Sequence, residues 1–268
     1  MINGPLFAHT WRMQRVKLAV VCLGLVGWGS INPVIYAQFG AQFRVLLENG
    51  LIPEQFAQFG GGDIFSLPGA VALGFIHPIS LILNSVFAVG FSTAAVASER
   101  QRGTLEVTLS RPISRRTLYA TLLVASVTFL AATTTALVAG AVAGAVFEGV
   151  RSEFPLGPLP LLWLNSILLF AVIASIGLAA SVSFDRFAPA LGLTLGVVVV
   201  SYFLEVLGSL WPDARPLQPY SLFHYLQPKA ILTGDAAASD FSVLALVLAF
   251  AVIYALVVFP RRDLPAPS

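Results

Sequence analysis

The chain alternates between long apolar runs and short polar stretches, and the run lengths set the first expectation. A helix needs roughly 20 apolar residues to cross a bilayer. Six runs reach that length, at about 17–37, 67–97, 118–147, 159–184, 187–210 and 241–259. Ahead of the first, residues 3–16 mix Leu6, Phe7, Trp11 and Val16 with His9, Arg12 and Arg15. That mixture predicts an interfacial helix on the membrane surface, with Trp11 at headgroup depth. In run one, Gly24, Gly27 and Gly29 permit close helix approach, and Pro33 is expected to bend or end the helix. Run two is longer than a bilayer requires and contains Pro78, so its first part (64–78) is expected to form a separate or re-entrant piece. Run three holds Gly140 and Gly144 at GxxxG spacing, read as packing, and run five repeats the spacing at Gly192 and Gly196.

The polar stretches fix an orientation. Residues 98–116 hold Arg100, Arg102, Arg111, Arg115 and Arg116, a third of the 15 Lys and Arg in the chain. Lys and Arg are retained on the cytoplasmic side, so this loop is expected inside. With six spans and both termini inside, eleven of the 15 basic residues fall on the cytoplasmic side. Residues 38–68 carry Glu48, Glu54 and Asp63 against Arg44, plus Gly60-Gly61-Gly62, and belong outside as a loop. Residues 211–240 form a second outer segment. Within it, 220–232 mixes aromatic and polar residues as an interfacial or re-entrant helix would. Asp185 and Arg186 make a tight inside turn between runs four and five.

Composition sharpens the class. The chain is 57% apolar and only 10% charged, with a mean hydropathy of +0.85. Soluble domains carry about a quarter charged residues. The fold class is therefore an all-α polytopic membrane protein, a single transmembrane domain over 1–268. The net charge of +2 gives no reason to expect nucleic acid as a partner. Cys22 is the only cysteine and lies inside an apolar run, so it reads as a buried small hydrophobe. The first residues lack the basic region and cleavage site of a signal peptide and read as mature sequence.

Candidate chemistry is sparse. No GxxxxGK[ST] loop is present, so the chain does not hydrolyse nucleotide by that route. His9, His77 and His224 lie in three separate regions without metal-ligand spacing, and no GxSxG elbow occurs. Polar groups inside spans point to a transport path. The candidates are His77 and Asn84, seven apart on one helix face of span two, Asn165 in span four, and Glu205 in span five. Their competing structural roles are hydrogen bonds to a neighbouring helix and, for Glu205, snorkelling to the outer headgroups or pairing with Arg215. A stand-alone secondary transporter would need more intramembrane ionisable groups than these. A non-transporting membrane scaffold or assembly factor is the other rival.

The loop has more order than an orientation signal requires. Leu105, Val107 and Leu109 interleave with charge, and Leu105 and Leu109 are neighbours one turn apart in a short helix. Glu99, Gly103, Thr104, Leu109, Pro112, Ser114 and Arg115, in the order E-x-x-x-G-T-L-x-x-x-L-S-x-P-x-S-R, resemble the cytoplasmic loop of type-2 ABC exporter permeases. The nearest resemblance is to the branch containing the maturation permease of nitrous oxide reductase, a multicopper enzyme. The span leading into the loop, Phe75 through Glu99, is also similar to that branch.

The resemblance implies a division of labour. Residues 98–116 would be a coupling helix docked on a separate ABC ATPase subunit, present in two copies and binding the ATP and Mg that this chain does not. Glu99, Arg102, Gly103, Thr104, Leu105, Leu109, Pro112 and Arg115 would make that coupling site, with Leu105 and Leu109 as the docking anchor. Glu99 would pair with Arg102 or orient an ATPase residue. A second permease, identical or homologous, would complete the substrate path. The expected location is the inner (plasma) membrane.

Overall fold

The computed structural model describes residues 2–51 and 66–262, and in those residues the chain is built of helices and the turns between them. Six helices are long and apolar enough to cross a membrane. Span one is α1 (Gly4–Glu48). A short apolar helix, α2 (Leu67–Ile76), precedes span two, which joins α3 (Pro78–Ser85), a π-helical turn (Val86–Phe91) and α4 (Ser92–Gln101). The loop helix α5 (Leu105–Leu109) leads to span three, α6 (Arg115–Phe147). Spans four and five are α7 (Leu159–Ser183) and α8 (Phe187–Leu210). Two 3-10 turns (Pro212–Tyr220 and Phe223–Tyr225) and α9 (Pro228–Thr233) connect them to span six, α10 (Ala238–Arg261).

Two boundaries differ from the sequence expectation, both in α1. Residues 3–16 are not a separate interfacial helix, because α1 runs unbroken through Lys17 and through Pro33. Its 45 residues reach roughly 68 Å at about 1.5 Å per residue, more than twice the ~30 Å hydrocarbon layer. Nor does the loop expected from residue 38 begin there. Gln38 donates to Glu148 (2.7 Å) and Tyr36 to Glu153 (3.2 Å), which holds the continuing helix against the far end of α6. The rest of that loop, with Glu54, Gly60-Gly61-Gly62 and Asp63, lies outside the described residues.

Pro33 removes one hydrogen bond, yet tertiary contacts hold the helix on either side of it. Trp28 donates to the Gly74 carbonyl of α2 (2.9 Å), and the Asn32 side chain bridges back to the Trp28 carbonyl (2.8 Å). Gly29 packs on α6 so closely that a Cβ there would overlap the Leu137 carbonyl. The same seam uses Gly140 and Gly144, where a Cβ would overlap the carbonyls of Val26 and Ser30. Spans one and three therefore meet backbone to backbone and run parallel, with Asn3 beside Thr121 and Trp11 stacked on Phe129.

Pro78 does break the second apolar run. His77 takes an extended conformation there (φ −64, ψ 142) and caps α3 by accepting from Ile79 N–H. Span four is the hub of the bundle and packs against spans two, three, five and six. Its Ser181 hydroxyl enters the backbone ladder of span two, accepting from Val96 and Ala97 N–H and donating to the Thr93 carbonyl (2.8 Å). Opposite the arginine-rich end, 212–233 folds back on the bundle as three short helical pieces rather than one re-entrant helix. Pro212, Pro216, Pro219 and Pro228 remove the amide donors a single helix would need.

Candidate functional site

The chain reversal at the arginine-rich end is built from local rules. Span two stops at Arg102, and Gly103 turns the backbone at φ +72, a left-handed conformation that favours glycine. Thr104 closes the turn: its N–H donates to the Glu99 carbonyl (2.9 Å), and its hydroxyl donates to the Glu99 carboxylate. Glu99 is thus occupied by Thr104 rather than by Arg102. Five residues of helix follow, and Ser114 starts span three by accepting from the Thr117 N–H (3.1 Å).

α5 divides its residues between two faces. Leu105 is only 4% exposed in this chain's own core, and Leu109 is half-buried against the same core. Their spacing of four places them on one face, and that face points inward. Val107, at 65% exposure, and the exposed Glu106 stand on the outer face. Arg115 also turns inward. Its guanidinium donates to the Phe259 carbonyl (3.1 Å) and sits over the Phe259 ring, tying the start of span three to the end of span six. Pro112 is exposed and lines a cavity of about 450 Å³ between residues 107–113 and Asn3, Pro5, Leu6 and His9 of α1.

A charge cluster lies beside this loop, where the sequence predicts only a tight turn. Asp185, between spans four and five, pairs with Arg100 of span two (2.6 Å) and with Arg262 at the end of span six. Arg262 also donates to the Val182 carbonyl (2.9 Å), and the Gln101 side chain accepts from Phe187 N–H (3.0 Å). Spans two, four, five and six therefore converge on one carboxylate next to the loop. The available signal was its scarcity: Asp185, Glu99 and Glu106 are the acidic residues at this end among the described residues.

The four path candidates do not come together. His77 lies against Trp28 of span one (4.5 Å between ring centres), whereas Asn84 accepts from Thr133 of span three (2.8 Å). The two residues thus serve different neighbours. Asn165 holds the folded-back segment, donating to the Tyr225 carbonyl (3.1 Å). Glu205 accepts from Gln218 (3.2 Å) and lies 3.8 Å from the His224 ring nitrogen; among the described residues it does not pair with Arg215.

No curated protein matches the chain. A family model described as ABC-2 family transporter protein matches residues 36–264, from the latter part of span one to beyond span six. With most of its length matched, this six-span chain belongs to the ABC-2 family of transporter permeases, the transmembrane components of ABC transporters.

Proposed function

We propose that the chain is the permease of an ATP-driven exporter and that residues 98–116 couple it to a separate ATPase subunit. The observation that carries this reading is the split of α5: Leu105 and Leu109 fix the helix to the bundle, while Val107 and Glu106 face outward with the exposed Arg111 beside them. That exposed strip is the docking face. In this reading the arginine-rich end, both termini included, is cytoplasmic, since it gathers the Lys and Arg. The membrane is the plasma membrane, and the ATPase binds the ATP and Mg.

Two ATPase subunits sit beneath two permeases, either two copies of this chain or this chain with a homologue. The substrate path runs between the permeases, lined chiefly by spans one, two and five. On the loop motif we also read the chain as nearest to the branch containing the maturation permease of nitrous oxide reductase.

Closure of the ATPase dimer pushes α5. Because Thr104 is locked to Glu99, the push enters span two, and the Arg100–Asp185–Arg262 cluster hands it to spans four, five and six. Such a linked end moves as a rigid body between two states.

The test is a tagged chain extracted in mild detergent from its native host, with copurifying proteins identified by mass spectrometry. An ATPase in equal amount is expected, and Val107→Asp should remove at least 90% of it, about 1.4 kcal/mol of binding. Leu105→Asp is the poorer test because it buries a charge in the core. An ATPase that stays bound to Val107→Asp overturns the docking face. Recovery of the chain with no ATPase in several detergents overturns the exporter reading.

A further inference from the structure

Spans one and two close against each other at one end and part at the other. Far from the loop, Gly24 touches Leu83 (3.4 Å for a Cβ) and Trp28 reaches Gly74. From about Lys17 and Gly90 toward the loop, the helices diverge around a cavity of about 360 Å³, floored by α5 and backed by the start of α6. The parting coincides with the π-helical turn Val86–Phe91, which interrupts the regular ladder of span two.

The lining is two-sided in chemistry. Met13, Phe91, Leu118 and Leu122 give an apolar wall, while Gln14 and Lys17 give a polar one. Glu99, the carboxylate in the lining, is taken up by Thr104, whereas Lys17 makes no ion pair among the described residues. Arg102 also lines the cavity, so Lys17 and Arg102 stand against the single Glu99 carboxylate and the cavity is cationic. The Gln14 amide oxygen is buried without a hydrogen-bond partner, so it lacks a donor. Lys17 stands where the apolar stretch of α1 begins, which sets the cavity at headgroup depth.

We propose that this cleft binds the headgroup of an anionic glycerophospholipid that carries free hydroxyls, for which phosphatidylglycerol is the simplest chemistry. The phosphodiester sits at Lys17 and a glycerol hydroxyl donates to the Gln14 amide oxygen. The acyl chains leave over Met13 and Phe91 into the bilayer. Phosphatidylcholine brings no donor for Gln14 and adds a cation to a cationic cavity. An ATPase segment fits less well, because Leu105 and Thr108 of α5 lie between the cavity and an approaching subunit. The inference uses the membrane placement proposed above but not the ATPase docking.

The experiment is native mass spectrometry of the purified full chain, with whatever copurifies, after incubation with equal amounts of dioleoyl phosphatidylglycerol and dioleoyl phosphatidylcholine. The expected result is one retained phosphatidylglycerol per chain at about tenfold preference. Lys17→Glu should abolish the preference, Gln14→Leu should reduce it several-fold with the charge unchanged, and Arg116→Glu, away from the cleft, should leave it intact. Met13→Trp, which fills the cavity, should lower retention of either lipid. Elution volume and helicity by circular dichroism confirm that each variant is folded, and Gln14→Leu and Met13→Trp carry the test if Lys17→Glu is not. Equal retention of the two lipids overturns the proposal, as does a preference that survives Gln14→Leu and Met13→Trp. Retention by the free chain but not by an ATPase-bound one assigns the cavity to the partner and also overturns it. ATPase recovery in the same sample reports separately on the proposed function.

Discussion

Two glycine pairs with the same spacing meet opposite fates. Gly140 and Gly144 in span three press directly on the Val26 and Ser30 backbone of span one, leaving no space for a Cβ. Gly192 and Gly196 in span five have nothing within 4 Å, and Leu193, Leu195, Val199, Val200 and Phe203 around them are exposed. Lipid tails are as apolar as leucine, so helices in a bilayer are held by close packing and polar contacts rather than by water exclusion. Span three gets its hold along a continuous seam. Span five is held at its two ends instead: Ala190 packs with Ala97 and Ala180 beside the Asp185 cluster, and at the other end Ser221 donates to the Ser201 carbonyl (2.7 Å). Between those ends Thr194 is buried and Leu191 and Val198 rest on the core, but the face carrying Gly192 and Gly196 is bare within one copy of the chain.

The largest effect is expected where the seam is tightest. Gly140→Leu drives a side chain into the Val26 backbone, which cannot yield without separating the two spans. A loss of about 3 kcal/mol is expected, at the upper end of overpacking costs. Thermal unfolding in detergent, followed by circular dichroism, measures it. A melting temperature within a few degrees of the parent would mean that spans one and three are not in backbone contact.

A smaller effect is expected at the end of span five. Ser221→Ala removes the bond to Ser201 and the acceptor for Phe223 N–H, a buried pair of contacts. Roughly 1 kcal/mol is expected. It should appear as faster hydrogen exchange confined to the end of α8 and the folded-back segment. Exchange that rises equally along all of α8 would show that the helix is not held by its ends.

The sequence carried the six spans and the break at Pro78 because apolar length and proline act locally. The turn at Gly103, where the backbone takes φ +72, likewise rests on one local residue. The sequence failed where the answer depended on a distant neighbour. Residues 3–16 have the composition of a surface helix, yet α1 is continuous because Asn3 and Trp11 pack against the first half of span three. Leu105 and Leu109 were correctly grouped on one face, but nothing local says whether that face meets this chain or another. Asp185 has partners 85 and 77 residues away, at Arg100 and Arg262, and no short motif connects them. The four polar path candidates shared only their type and depth, and the structure assigns them to four different contacts.

The smallest effect on a single chain is expected at the open pair, and it is the one that distinguishes seam from bare face most sharply. A Cβ at Gly192 meets no atom within 4 Å and the neighbouring face is exposed, so Gly192→Leu should change the fold by less than about 0.5 kcal/mol. The same added side chain should matter once a second permease lies along span five, as the proposed path between two permeases requires. There it would stand between two helices that small residues let approach closely. Mass photometry of the detergent-solubilised parent and variant therefore separates two outcomes. Loss of the two-permease species with unchanged melting of the chain would assign the open pair to the contact between permeases. An unchanged distribution of species would leave Gly192 facing lipid, and the contact between permeases would then lie on another exposed face.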